Sequence, residues 1–256
     1  MPQQSPTPLA ASRYEVKYFI DEVRAAWIQS FCRSNLPLDP HSAERENGQY
    51  PIYTIYLDSL NQHCLRGTLE RREDRVKLRV RTYCGYDESH AEHPAYFEIK
   101  RKRKGVVHKT RAVTPRKLAD QLLWNSDGVH VNSEAIPGRT GDRLNQFLEL
   151  RARIGAKPTV GVFYTREAYE STTADRVRIS LDRNLHYGLL DHQGTTTRAM
   201  WWPVNLNWII LEIKFTTSYP FWIEELVRQG EITRRGICKF VMCSRAARQG
   251  AACVAS

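Results

Sequence analysis

Hydrophobic and polar residues alternate one for one through much of the chain. In RVKLRVRTY (75–83), Val76, Leu78 and Val80 fall on one side and Arg75, Lys77, Arg79 and Arg81 on the other. A period of two marks a strand with one buried face. The same pattern predicts about eight strands, near 13–20, 50–58, 75–83, 95–102, 106–113, 160–169, 175–182 and 207–215. Between them, helical spacing and end signals predict four helices. Asp21 caps DEVRAAWIQSFCRS, with Val23, Trp27 and Phe31 on its stripe, and Thr114-Pro115 starts RKLADQLLW. LNQFLELRARIG ends at Gly155, and Pro220 opens FWIEELVRQG, which stops at Gly230. Residues 126–142 read as a long loop. In IYLDS, Asp58 is expected to cap a following helix, and Tyr56 is given an ordinary structural role.

The polar sides of these strands depart from an ordinary solvent face. An exposed face mixes Thr, Ser, Gln, Glu and Lys; here Lys or Arg recurs at strand centres, and Glu-x-Lys appears three times, as Glu15/Lys17, Glu98/Lys100 and Glu212/Lys214. If the sheet closes, the polar faces converge on one lumen. Glu15, Lys17, Lys77, Arg79, Arg81, Glu98, Lys100, Lys109, Arg111, Arg166, Arg178, Glu212 and Lys214 then contribute ten cations and three anions. So many like charges repel unless a polyanion sits among them. The glutamates suit a divalent metal that bridges phosphates. YFEIKRKRKGVVHKTRAV (96–113) reads as two adjacent strands whose turn carries Arg101, Arg103 and Lys104 to the rim.

Composition narrows the partners. The 256 residues are 41% hydrophobic, enough for a real core, and carry a formal net charge of +10, which calls for an anionic partner. The six cysteines show no CxxC spacing and read as reduced structural thiols. MPQQSPTPLAAS reads as a flexible lead-in over 1–12, before a domain over 13–248 and a tail over 249–256. No apolar run reaches the length of a membrane span, and a cytoplasmic protein is expected.

RYEVKY, VKLRVRTY, YFEIKRK, HKTR, FYTREAY, RVRISLD, ILEIKF and a closing CKF follow, in order, the motifs of the VTC domain. This is the polyphosphate polymerase domain of the triphosphate tunnel superfamily, and the resemblance runs from about residue 13 to about 245. It implies an α+β fold: an eight-stranded antiparallel β-barrel with a basic lumen and helices packed outside. It implies ATP and inorganic polyphosphate as substrates and Mn²⁺ or Mg²⁺ as cofactor. The reaction implied is transfer of the γ-phosphate of ATP to the chain.

Matched motif by motif, Arg79, Arg81, Arg166 and Arg178 are expected to clamp the triphosphate, with Lys214 in the reacting set. Lys17, Lys77, Lys100, Lys109 and Arg111 would bind the chain, and Lys239 resembles the lysine of a C-terminal Ser-Lys-Tyr element. Cys238 and Phe240 stand where that element has Ser and Tyr. Glu212 resembles the metal-holding glutamate, aided by Glu98 or Glu15. Arg13 stands where the hydrolases of the superfamily have Glu, which favours the VTC branch. Regulation or export is expected from other chains, a membrane protein partner among them, and no sequence-specific nucleic-acid binding is expected. The alternatives are a triphosphatase or polyphosphatase using the same residues, with Glu15 orienting water, and a polyphosphate- or RNA-binding module without turnover, for which Tyr83, Tyr96 and Tyr164 could serve.

Overall fold

The computed structural model describes residues 14–83, 93–124, 136, 138–171, 177–190, 201–204, 206–216 and 220–254. Arg13, Cys84, Arg176 and the predicted lead-in lie outside them, as do 126–135 and 137 of the predicted loop, while its residues 139–142 are helical. The elements are β1 (Tyr14–Ile20), α1 (Glu22–Asn35), α2 (Pro40–Ala43), β2 (Tyr50–Asp58), α3 (His63–Leu69), β3 (Arg75–Thr82), β4 (Ala95–Arg103), β5 (Val106–Thr114), α4 (Arg116–Trp124), α5 (Arg139–Ile154), β6 (Lys157–Glu170), β7 (Arg178–Leu189), β8 (Trp201–Pro203), β9 (Ile209–Phe215), α6 (Phe221–Gln229) and α7 (Lys239–Val254). The strands pair in the order β1-β9-β7-β6-β2-β3-β4-β5, with β8 on β7, and every ladder whose register is resolved is antiparallel. The fold is α+β, as the resemblance implies.

The chain divides into two compact units, and β6 and β7 run through both. The first unit comprises the residues up to Gln49, Glu167–Asp182 and Asn207–Ile237. Its core takes Val16, Tyr18 and Ile20 of β1, Ile179 and Leu181 of β7, and Leu211 and Ile213 of β9. These are the apolar members of each alternation, and they pack under α1 and α6. Asp21 caps α1, its carboxylate accepting from the Arg24 N–H at 2.7 Å. The buried stripe of α1 is Ala25, Ile28 and Cys32, which corrects the predicted one: Val23 is 81% exposed. Small residues let the helix lie close to the strands, and Phe31 reaches sideways to stack on Trp222 at 5.9 Å.

The second unit comprises Tyr50–Arg166, Arg183–Leu206 and the residues from Cys238. Here Tyr53, Ile55 and Leu57 of β2, Leu78 and Val80 of β3 and Phe97 of β4 form the apolar side. α4 and α5 cover it with Leu122, Leu123, Leu144 and Phe147, the last meeting Phe97 edge-on at 5.0 Å. Gly155 closes α5 in the left-handed conformation (φ 63), as its position after the last periodic residue predicts.

α2, α7 and β8 are not anticipated by the pattern, whereas α3 is the helix expected after Asp58. α3 follows Gln62 at φ 57 and has no adjacent cap; Asp58 instead reaches its Cys64 and Leu65 N–H groups at 2.8 and 2.9 Å. The expected capping by Asp58 is thus met from a distance. In α7 the buried positions Phe240, Cys243, Ser244 and Ala247 have helical spacing, but all except Phe240 are small. β7 extends beyond its predicted end at 182 because Leu185 and Tyr187 continue the burial past Asn184 (φ 54). β8 pairs with that extension and presses Trp201 on Gly161 and Gly188.

Candidate functional site

All fourteen predicted site residues are described, nine in the second unit and five in the first. In the second unit the register of β3, β4 and β5 decides the arrangement. Lys77 faces Lys100, and Lys100 faces Lys109, so three lysines stand abreast. In the next row Arg79, Glu98 and Arg111 stand abreast. Like charges directly opposite destabilise a ladder, yet these rows set five cations against one carboxylate.

Glu98 organises them. It is 0% exposed, and its carboxylate accepts from Arg79 Nε at 2.6 Å and Arg111 Nε at 2.6 Å, with Lys109 Nζ 2.7 Å away. Burial by itself would raise the Glu98 pKa, but Arg79, Arg81 and Lys109 outweigh it and hold the carboxyl well below the usual carboxylate range. Arg79 also donates to the Tyr56 hydroxyl at 3.3 Å, and Tyr56, buried, stacks on Phe240 at 4.6 Å. Tyr56 thus keeps the ordinary structural role expected of it and supports Arg79 from β2.

Arg81, itself buried, donates to Thr54 Oγ1 at 3.2 Å and to the Tyr164 hydroxyl at 3.4 Å. The Tyr164 ring carries two further cations, Arg166 at 5.4 Å and Lys239 at 4.7 Å from its centroid. Lys77 Nζ lies 3.1 Å from Cys238 Sγ. Cys238 and Phe240, which replace the usual Ser and Tyr, thus contact Lys77 and Tyr56 on either side of Lys239 in the chain.

Arg111 continues past Glu98 to the Tyr83 hydroxyl at 3.0 Å, and its guanidinium lies 4.6 Å over the Tyr96 ring. Burial pushes the Tyr83 phenol up, but Arg81 and Arg111 more than reverse it and bring it down to about 8. Burial of its ammonium brings Lys109 down to about 8 as well, against the pull of Glu98.

The first unit carries a smaller face. Glu15 faces Lys214, which faces Arg178; Lys17 faces Glu212, which faces Ser180. Lys17 Nζ lies 2.8 Å from Glu15 and 3.5 Å from Glu212, and Lys214 Nζ 2.5 Å from Glu212. Arg178 donates to Asp39 at 2.5 Å, and the buried Asp39 also caps α2 through the Ser42 N–H at 2.8 Å. Asp39, Thr54 and Tyr56 are the contributors that the pattern did not single out. Their parity on β2 was a signal for Thr54 and Tyr56; Asp39 lies outside any strand and had none.

The donor set can be tested against a divalent metal. No three His, Cys, Asp or Glu side chains form a metal cage among the described residues. Mn²⁺ or Mg²⁺ does not need one when it binds through one or two carboxylates and the phosphates themselves. Glu212, with Glu15 on the adjoining strand, fits that requirement once the ammonium groups of Lys17 and Lys214 turn to phosphate, whereas Glu98 is fully buried and held by two guanidiniums and an ammonium. No helix of the described residues is long and apolar enough to cross a membrane.

The site is thus a cation-lined face of an antiparallel sheet within an α+β fold. The VTC domain model matches residues 12–247, and the chain belongs to that family. Vacuolar transporter chaperone complex subunit 4 of Schizosaccharomyces pombe is 25% identical over 252 residues, which cover 84% of this chain and 34% of that protein. The chain thus spans about a third of that relative's length. Among solved structures, a candidate adenylate cyclase from Bacillus halodurans superposes with a TM-score of 0.51 at 14% identity, covering 89% of this chain and 94% of that one.

Proposed function

We propose that the protein is a metal-dependent polyphosphate polymerase that transfers the γ-phosphate of ATP to a polyphosphate chain. The observation that carries this reading is the pair of rows Lys77–Lys100–Lys109 and Arg79–Glu98–Arg111, five cations held by one carboxylate. Membership of the VTC family supports it.

Phosphoryl transfer needs positioning and charge neutralisation more than covalent help. Arg79, Arg81 and Arg166 of the second unit, and Arg178 of the first, are the arginines assigned to triphosphate, because a planar guanidinium binds two oxygens of one phosphoryl group. Lys214 adds charge at the reacting group. Lys17, Lys77, Lys100, Lys109, Arg111 and Lys239 hold the growing chain. Glu212 with Glu15 would hold the divalent metal, whose chemistry there would be neutralisation of charge on phosphate oxygens. Glu98 keeps Arg79, Lys109 and Arg111 in place and is a positioning residue. The nucleophile is a terminal phosphate oxygen, already ionised at neutral pH, so no general base is required.

The protein is proposed to work in the cytoplasm, docked to a separate membrane protein; the name of the fission-yeast relative, a subunit of a vacuolar complex, supports such an arrangement. Incubation with ATP and Mn²⁺, scoring ADP, free phosphate and acid-stable polymer together, tests the reaction. ADP and polymer with little free phosphate are the expected products. Free phosphate without polymer would make the protein a triphosphatase. Tight polyphosphate binding without turnover would make it a binding module.

A further inference from the structure

A second cationic site lies away from the strands. In the second unit, α3, the turn after it and the C-terminal end of α5 border a cavity of about 570 Å³. Arg66, Arg72, Arg153 and His63 line it, with Ser59 and Asn61 beside them. No residue of a strand lines this cavity, so it is separate from the rows described above.

Its charge balance favours an anion. Glu70 accepts from Arg72 Nε at 2.7 Å and Arg66 Nε at 3.4 Å, which holds two guanidiniums side by side while neutralising one. Two other carboxylates of this region, Asp74 and Asp58, are engaged. Asp74 accepts from Arg101 Nε at 2.8 Å, and the buried Asp58 accepts from the N–H groups of Ser59, Cys64 and Leu65. At the carbonyl end of α5, whose negative pole would oppose an anion, the carbonyls of Arg151 and Ala152 already accept from the Ala156 N–H at 2.9 Å and the Gly155 N–H at 3.1 Å. Arg153 adds a further guanidinium. Three arginines against Glu70 leave an excess of two positive charges around a cavity within the usual range for small ligands.

Guanidinium forks match the non-bridging oxygens of phosphates, and several spaced forks match several linked phosphates. We infer that this cavity is a second anion site that binds an oligophosphate of two or more linked phosphate groups. The ligand is either a short free oligophosphate or a stretch of a longer chain, since both present the same linked phosphates. The inference concerns binding alone and stands whether or not the protein is a polymerase.

Hydrogen exchange on the intact protein, at about 0.15 M salt to suppress long-range attraction, tests it with three probes: orthophosphate, tripolyphosphate and long-chain polyphosphate. Either of the last two is expected to protect residues 59–72 and 150–155, alongside β3–β5. Arg66→Ser with Arg153→Ser, both exposed side chains, should abolish the first protection and leave the second. By calorimetry the same variant should lose about tenfold in affinity at one class of site, roughly 1.4 kcal/mol, with the other class unchanged. Protection by tripolyphosphate identifies a short oligophosphate as sufficient; protection by the long chain alone identifies a stretch of polymer. A single class of site in the unaltered protein, protection at 59–72 that survives the substitutions, or equal protection by orthophosphate would each overturn the inference.

Discussion

Arg79 and Glu98 face each other across the β3–β4 ladder, with Nε 2.6 Å from Oε2 and the carboxylate fully buried. Arg111 and Lys109 close on the same carboxylate from β5, so one side chain holds three cations in place. Removing its charge leaves those cations crowded together with no counter-ion. Glu98→Gln is expected to destabilise the protein by about 3 kcal/mol, measured by urea unfolding at neutral pH. The folded-state pKa of Glu98 is depressed, so its contribution is fully present above the ordinary carboxylate pKa and is lost as pH falls through and below that value. The unaltered protein should therefore lose stability in acid more steeply than the Gln variant.

Arg79→Ala should lower turnover about a hundredfold, the scale of losing one preorganised charge donor at a developing oxyanion. Arg79→Lys should recover only part of it, because an ammonium cannot bridge Glu98, Tyr56 and a phosphate as a fork does. ADP release and polymer yield, followed together, provide the measurement. Equal activity in the unaltered and Ala proteins would remove Arg79 from the site.

Lys109 and Tyr83 both titrate near 8, and both changes lower the positive charge of the same face. Lys109 loses its proton charge as pH rises through about 8, and Tyr83 becomes an anion over the same window. The affinity for tripolyphosphate should accordingly fall as pH rises through 8, more steeply than one ionisation allows. Lys109→Arg and Tyr83→Phe should each make that fall shallower, and the double variant should nearly abolish it. Binding isotherms between about pH 6.5 and 9.5 would show this directly.

Glu212 lies between Lys17 and Lys214, whose ammonium groups compete with a metal for its oxygens. Glu212→Gln should abolish the Mn²⁺ dependence of turnover, leaving a low basal rate, while metal-free tripolyphosphate binding is kept or strengthened because an anion has left the face. A variant with an undiminished metal response would transfer the metal to other groups.

Gly161 lies against the Trp201 ring so closely that a Cβ there would sit 2.7 Å from a ring carbon. Gly161→Ala should cost about 2 kcal/mol from overpacking, measured as a lowered denaturation midpoint. Trp201→Leu in the same chain should return part of that loss, since it removes the opposing ring.

Alternation alone made much legible. Val76, Leu78 and Val80 against Lys77, Arg79 and Arg81 specify which face of β3 is buried, because side chains on a strand have only two directions to take. The helix boundaries at Asp21 and Gly155 were equally local, since a cap is a contact over three or four residues. Other features depend on which strand lies beside which. No pattern along β4 says that Lys100 stands between Lys77 and Lys109, or that Glu98 takes two arginines and a lysine; the ladder register decides that. Asp39 reaches Arg178 from 139 residues away in the chain, a contact that only the folded first unit creates. Trp201 against Gly161 and the arginines converging near α3 and α5 have the same origin. The sequence by itself determined the two-sided chemistry of each strand, because that is a property of neighbouring residues. Tertiary structure decided which charges meet, because charge–charge energies depend on distances that pairing and packing alone establish.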